Sequence, residues 1–191
     1  RTSSGCHVSA FLHNIYYSYI SNTNKKTLKP FNYGNVFIKY FFGDSRKTLT
    51  ESNDKYDIVF LDGFSPQKSP ILWTEDFISL IKSHMTPESV LVTYSKSTPV
   101  RSAFLNCGFF VGKTLINNVD SGTVASLSPE IISVPLSDYD VNLLKTKAGI
   151  TYKDSDLNLS STEILYNRTV ESQNSSLLSH TGFIKIYGKH R

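Results

Sequence analysis

The chain has 191 residues and a formal net charge of +4, and 39% of its residues are hydrophobic while 19% are charged. This length favours one domain, the composition excludes global disorder, and the charge permits an anionic partner such as RNA without requiring one. Two cysteines and no apolar run of about 18 residues lead us to expect a reduced cytoplasmic protein with neither a membrane span nor a metal site.

The first third of the chain alternates between helical and extended patterns. The elements predicted there are a helix over 6–20, a polar loop over 21–34, a strand over 36–42, a short helix over 45–52 and a strand over 56–61. The last of these strands is nearly all apolar, which is typical of a strand covered on both faces.

The alternation continues along the chain. A helix is predicted to begin at Thr74, which caps it, and another at Thr98, with Val100, Phe104 and Leu105 facing inward. The remaining predicted elements are strands over 90–94, 109–116 and 123–127 and helices over 137–147 and 161–177.

This order predicts an α/β fold with a doubly wound parallel sheet, helices on both faces and a terminal hairpin that adds one antiparallel strand. Such a sheet places its chemistry beyond the carboxyl ends of the strands. From residue 136 the composition turns polar and basic. We therefore predict a catalytic domain over 1–135 and a helical extension over 136–191 that packs on it.

Two acidic residues follow predicted strands. Asp44 comes after Gly43 and can accept a hydrogen bond from an adenine amino group, or it can cap the helix that follows. Asp62 ends the most apolar strand, where it can orient an amine and take its proton. Since Asp-Gly is also a common turn pair, Asp62 can equally be a turn residue.

Other polar and aromatic candidates lie near these strand ends. Trp73 can stack on a ring or pack in the core, and Lys68 can meet a phosphate or remain solvated. Tyr94 follows the third strand. Arg101 on the next helix is either a surface residue or a phosphate contact.

The nucleoside-binding features of such a fold are absent from the start of this sequence. No Gly-x-Gly-x-Gly loop and no acidic residue at the end of a strand precede residue 36. Either the protein does not bind such a cofactor, or residues that precede Arg1 supply these features. Because the sequence opens with Arg1 rather than Met, we expect preceding residues.

The segment 57–74, DIVFLDGFSPQKSPILWT, resembles the signature of the MnmC-like methyltransferases. In that family a strand ends in Leu-Asp-Gly-Phe-Ala/Ser-Pro and continues through Lys-x-Pro to Trp-Thr. The resemblance covers about residues 36–180. Further matching pieces occur in the family's order at residues 43–45, 93–95, 100–101, 107–109, 122–126, 148–154 and 167–175.

The resemblance implies a Rossmann-like class I methyltransferase fold that uses S-adenosylmethionine to methylate the exocyclic amine of 5-aminomethyl-2-thiouridine at the tRNA wobble position. The flavin-dependent oxidase domain of the two-domain members is absent from this sequence, so we expect no flavin. The alternatives are a methyltransferase for a small amine or another nucleoside, and a non-catalytic RNA-binding remnant.

Residue roles carried over by motif place Asp44 at the adenine end of the cofactor and Asp62 beside the methyl group and the accepting amine. The implied cofactor-binding residues are Gly43, Asp44, Ser45, Leu61, Asp62 and Gly63. The implied substrate-binding residues are Phe64, Pro66, Lys68, Trp73, Tyr94 and Arg101.

Overall fold

The computed structural model describes residues 31–33 and 35–188, so the predicted helix over 6–20 and most of the loop after it lie outside the described residues. The chain divides into two compact units, residues 1–48 and 49–191.

The first unit contains a small hairpin. Strand β1 (Phe31–Tyr33) pairs antiparallel with β2 (Val36–Ile38), and helix α1 (Ser45–Thr50) follows. The predicted strand over 36–42 is therefore wrong in length and in pairing. The β-branched and aromatic residues of this segment do favour extended backbone. However, only two residues connect β1 to β2, and so short a connection joins antiparallel neighbours, whereas a parallel pair needs a long crossover.

The second unit carries the main sheet. Its elements in chain order are β3 (Tyr56–Phe60), α2 (Glu75–Ser83), β4 (Met85–Thr93), α3 (Thr98–Asn106), β5 (Phe110–Ile116), β6 (Val119–Ser126), α4 (Asp138–Leu144), α5 (Ser161–Asn174) and α6 (His180–Tyr187). The prediction missed α6. None of the helices that the structure describes combines the length and apolar character needed to cross a bilayer.

The four strands of this sheet lie in the order β3–β4–β6–β5. β3 and β4 are parallel, and β6 runs antiparallel to both β4 and β5. Asn117 and Asn118 adopt φ values of 51° and 62° in the turn between β5 and β6, a conformation that Asn tolerates well. The predicted α/β class with a terminal antiparallel strand is confirmed.

The core lies on one face of this sheet. Val59, Leu91, Ala125 and Val111 stand side by side across the four strands; the last three belong to the core cluster and Val59 packs against it. The cluster includes buried residues of α2 and α3, namely Phe77, Ile78, Ile81, Val100, Ala103 and Phe104, and also Leu61, Trp73, Met85, Phe109, Tyr152 and Ile164.

On the opposite face of the sheet, large apolar side chains on the two edge strands are exposed in the described part of the chain. Ile58 and Phe60 on β3 are 57% and 76% exposed, and Phe110 on β5 is 48% exposed, whereas Ser126 on β6 is buried. Among the described residues, the predicted coverage of β3 on both faces is therefore not observed. An apolar run favours a strand, but the run does not determine how many layers cover that strand.

The two helices that follow β3 and β4 begin much as predicted. The Thr74 side chain accepts a hydrogen bond from the backbone N–H of Phe77 and caps α2. The cap of α3 is Ser97 rather than Thr98. Val100 and Phe104 face the core, but Leu105 is 37% exposed, so its predicted inward position is wrong.

The segment before α5 packs against the start of α2. The backbone N–H of Glu75 donates to the Tyr152 carbonyl at 2.9 Å, and Thr151 Oγ1 donates to Glu75 Oε1 at 2.9 Å. Arg168 on α5 lies over the buried Tyr152 ring, 4.9 Å from its centroid. The helices predicted after residue 136 are confirmed as α4 and α5, whereas the domain boundary at 135 stays a prediction.

Cys107, at the end of α3, offers a test of this packing. Burial raises the pKa of its thiol to about 11, and the nearby Glu75 carboxylate adds to the rise. Because only the thiolate reacts with iodoacetamide, we expect alkylation at pH 8 to be about 100-fold slower than in urea-unfolded protein. A Cys6→Ser variant leaves a single thiol, and mass spectrometry follows its rate. Equal rates in folded and unfolded protein would contradict the packing.

Candidate active site

The carboxyl end of β3 presents an exposed acid. Leu61 is buried and donates its backbone N–H to the Val92 carbonyl at 3.0 Å, which extends the ladder between β3 and β4 by one bond. Asp62, the next residue, is exposed, and its carboxylate makes no hydrogen bond or ion pair with any other described residue. A free carboxylate therefore stands at the edge where a sheet of this kind places its chemistry.

Two aromatic side chains hold the backbone just after Asp62. Tyr94 Oη donates to the Gly63 carbonyl at 2.8 Å, and Trp73 Nε1 donates to the Phe64 carbonyl at 2.8 Å. The Trp73 and Tyr94 rings meet edge to face, with 6.4 Å between centroids and 89° between planes. These two hydrogen bonds fix the backbone of the turn. The Phe64 side chain is nevertheless 76% exposed and the Tyr94 side chain 48% exposed.

The rest of the loop is compact. The backbone N–H groups of Lys68 and Ser69 both donate to the Ser65 carbonyl. Pro66 is buried, whereas the Lys68 side chain is exposed. Of the predicted substrate residues, Phe64, Lys68 and Tyr94 thus present surface to solvent.

Trp73 does not present its ring to solvent. The side chain is completely buried within the core cluster, so direct stacking of a substrate ring on Trp73, one of the two roles open from the sequence, is wrong. A large ring gains most by full burial, and the Phe64 carbonyl satisfies its one polar group.

Arg101 is neither a surface residue nor available to a phosphate. Only 5% exposed, it donates from Nη2 to both carboxylate oxygens of Asp120 at 3.0 Å and to the Gly122 carbonyl at 2.9 Å. Its Nε donates to Thr123 Oγ1, which in turn donates to the Ser95 carbonyl at 2.6 Å. Arg101 thus ties β6 to the loop that follows β4, and the predicted substrate contact is wrong.

In the first unit, Asp44 lies at the start of α1. Strand β2 ends at Ile38, so Asp44 does not end a strand as predicted. Its carboxylate accepts hydrogen bonds from the backbone N–H of Arg46 at 3.0 Å and from the Arg46 guanidinium at 2.7 Å. The capping role left open by the sequence is the one observed. The guanidinium contact holds the pKa of Asp44 below its ordinary value.

Two neighbours of Asp44 were also predicted to bind the cofactor. Gly43 has a φ of +129°, a backbone conformation that residues with a side chain rarely adopt, and an added Cβ would meet no atom of the described residues within 4 Å. Ser45 is the first residue of α1. The Gly-Asp-Ser sequence therefore makes a sharp entry into the helix.

The supporting residues were not predicted as part of the site. Asp120 and Thr123 help to fix the loop that carries Tyr94 and Ser95, and of these two residues the matching Gly122–Ser126 piece of the signature includes only Thr123. Among the described residues, no group of three or more His, Cys, Asp or Glu side chains could hold a metal ion.

Comparisons with known proteins agree with this geometry. The family described as S-adenosyl-L-methionine-dependent methyltransferase matches residues 7–119. An uncharacterized protein of Methanocaldococcus jannaschii is 32% identical over 133 residues, which cover 69% of this chain and 37% of that protein. The bifunctional protein MnmC of Campylobacter hominis, named for tRNA 5-methylaminomethyl-2-thiouridine biosynthesis, is 38% identical over 80 residues, 42% of this chain and 12% of that protein.

A solved structure extends the likeness to the fold. The crystal structure of MnmC2 from Aquifex aeolicus superposes with a TM-score of 0.72 at 32% identity, over 85% of this chain and 52% of that one. The chain spans about half the length of this relative and less of the others. Since the family match covers more than half of the chain and the fold agrees, the chain belongs to the S-adenosylmethionine-dependent methyltransferases of the MnmC-like family.

Proposed function

We propose that this protein transfers a methyl group from S-adenosylmethionine to the aminomethyl group of a modified wobble uridine in tRNA. The observation that carries the proposal is the free, exposed Asp62 carboxylate at the carboxyl edge of the sheet. The turn that follows Asp62 bears the exposed Phe64, and its Gly63 carbonyl accepts a hydrogen bond from the exposed Tyr94. Relatives named for 5-methylaminomethyl-2-thiouridine biosynthesis support the choice of acceptor, because methylation of an aminomethyl group gives a methylaminomethyl group.

The end of β3 would hold the methyl-bearing part of the cofactor. Buried Leu61 would give an apolar floor, and Asp62 keeps its acceptor sites free of other described residues. The missing side chain of Gly63 makes room for Leu72, whose Cδ1 would lie 2.5 Å from an added Cβ. When bound, S-adenosylmethionine supplies an electrophilic methyl group on a positively charged sulfur.

Asp62 would act on the acceptor amine. An amine is protonated near neutral pH, so the carboxylate would bind it as a cation and then accept its proton. The nitrogen lone pair would then be available to attack the methyl carbon. The remaining contribution to the rate would be alignment of the reacting atoms. Asp62 is thus proposed as both a binding group and a general base.

The exposed aromatic rings suit a nucleobase acceptor. Sequence-specific RNA recognition commonly uses unstacked bases that lie against aromatic side chains. Phe64 and Tyr94 offer such surfaces beside Asp62. Exposed Lys68 and the net charge of +4 suit the phosphate backbone of tRNA. The buried Pro66 and Trp73 would support this surface from the core side.

In the first unit, Asp44 stays a candidate for the adenine end of the cofactor. Its side chain is one-quarter exposed, although Arg46 makes four hydrogen bonds to its two carboxylate oxygens. An adenine amino group would therefore have to replace part of the Arg46 contact. Gly43 and Ser45 would offer backbone groups to the adenine end of the cofactor. This assignment rests on the family signature.

Two measurements test the proposed function. Calorimetry of the protein with S-adenosylmethionine should show saturable binding at one site. Incubation with tRNA that lacks the methyl group and with methyl-labelled cofactor should give a methylated wobble uridine by mass spectrometry of the digested RNA.

The other outcomes separate the alternatives. Cofactor binding together with methylation of a free amine or another nucleoside, and not of the wobble uridine, would replace the proposed acceptor. Binding of tRNA without cofactor binding would indicate a non-catalytic RNA-binding protein.

A further inference from the structure

The turn that carries Asp62 has few backbone contacts of its own. The last ladder bond of β3 is the one from Leu61 to the Val92 carbonyl, and the next backbone bond along the chain is the one from Lys68 to the Ser65 carbonyl. Within the described part of the chain, no backbone–backbone hydrogen bond holds residues 62–64. Whatever fixes the direction of the Asp62 side chain must therefore come from side chains.

Trp73 supplies one fixed point. Its ring is completely buried in the core cluster, and its backbone N–H donates to the Pro70 carbonyl at 2.9 Å. An indole N–H can only donate, so its burial requires an acceptor, and the Phe64 carbonyl at 2.8 Å provides it. The carbonyl of an exposed turn is thereby tied to a rigid point in the core.

Tyr94 supplies the second fixed point on the neighbouring carbonyl. Its hydroxyl donates to Gly63 at 2.8 Å, and its ring lies against the Trp73 ring. The backbone next to it is itself held, because the Ser95 N–H donates to Thr93 Oγ1 at 3.1 Å and Thr123 Oγ1 donates to the Ser95 carbonyl. The phenol therefore connects the Asp62 turn to the end of β4.

We propose that Trp73 and Tyr94 are positioning residues, which hold two consecutive carbonyls of the turn and so aim the Asp62 carboxylate at the methyl acceptor. This inference rests on the proposed function. Misplacement of a reacting group by about 1 Å can lower a rate by about 100-fold. The sharpest consequence is a loss of kcat without a matching change in cofactor or substrate binding.

Tyr94→Phe tests this inference, because it removes one oxygen atom and keeps the ring. We expect kcat for tRNA methylation to fall at least about tenfold, while KM for tRNA and Kd for S-adenosylmethionine stay within about twofold. The matched control is Tyr166→Phe on α5, where the phenol is 67% exposed and bonds to no other described residue. The control should keep the unaltered rate.

A second readout follows the turn directly. Trp73 is the single tryptophan of the chain, so fluorescence excited at a wavelength that tyrosine does not absorb reports on it alone. Loss of the Tyr94 anchor should increase quenching of Trp73 by acrylamide, and Tyr166→Phe should leave quenching unchanged.

The outcomes distinguish this inference from the proposed function. If the unaltered protein methylates tRNA and Tyr94→Phe keeps its kcat, the positioning role is overturned and the proposed function stands. A loss confined to KM would also overturn positioning, because it would make the Tyr94 hydroxyl a substrate contact rather than an anchor of the turn. Failure of the unaltered protein to methylate any acceptor would overturn the proposed function, and this inference with it.

Discussion

Replacing Asp62 with asparagine is expected to lower the rate of methyl transfer at least about 100-fold, the range associated with loss of a general base. Asparagine keeps the shape of the side chain but can neither attract the protonated amine nor accept its proton. Single-turnover kinetics with saturating S-adenosylmethionine and tRNA measure the chemical step separately from product release.

The same substitution should leave the fold intact. Asp62 is exposed and bonds to no other described residue, so the free energy of unfolding should change by no more than about 0.5 kcal/mol. Asp156→Asn, in the loop before α5, is a matched control, since Asp156 is likewise exposed and forms no contact with another described side chain. That variant should retain full activity. Undiminished turnover in Asp62→Asn would remove Asp62 from the mechanism.

The local features of the fold could be predicted from the sequence. Apolar runs and capping residues predicted β3 to β6 and the helices between them, because a strand or a helix start depends mainly on neighbouring residues. The carboxyl-edge rule likewise placed Asp62 at an exposed strand end, next to Phe64 and Lys68.

The main failures concern how segments of the chain pair and pack. Residues 36–38 were predicted as part of a parallel sheet, but they pair with a nearby segment. Trp73 meets Tyr94, 21 positions along the chain, and Arg101 meets partners 19 to 22 positions away. Sequence spacing shows which residue types are present, whereas burial and pairing depend on how these distant segments meet.

Arg101→Met is expected to lower the free energy of unfolding by about 2 kcal/mol, because the buried guanidinium is the donor to the buried Gly122 carbonyl and Thr123 hydroxyl. Asp120 would lose its guanidinium, and the Gly122 carbonyl and Thr123 hydroxyl would each lose a donor. Lys96→Met is the control. Lys96 is exposed and donates to the Asp120 carbonyl, so its loss should cost no more than about 0.5 kcal/mol.

Urea denaturation of both variants measures the difference, and Arg101→Lys tests its origin. Lysine keeps the charge but has no planar fork to reach several acceptors at once, so it should restore only part of the loss. The backbone of β6 has little room to shift after the substitution, since a Cβ on Gly122 would lie 2.4 Å from the Thr93 carbonyl oxygen. If Arg101→Met were as stable as Lys96→Met, the hydrogen bonds of Arg101 would not be what holds β6 to the end of β4. The anchoring of Tyr94 would then have to come from other contacts.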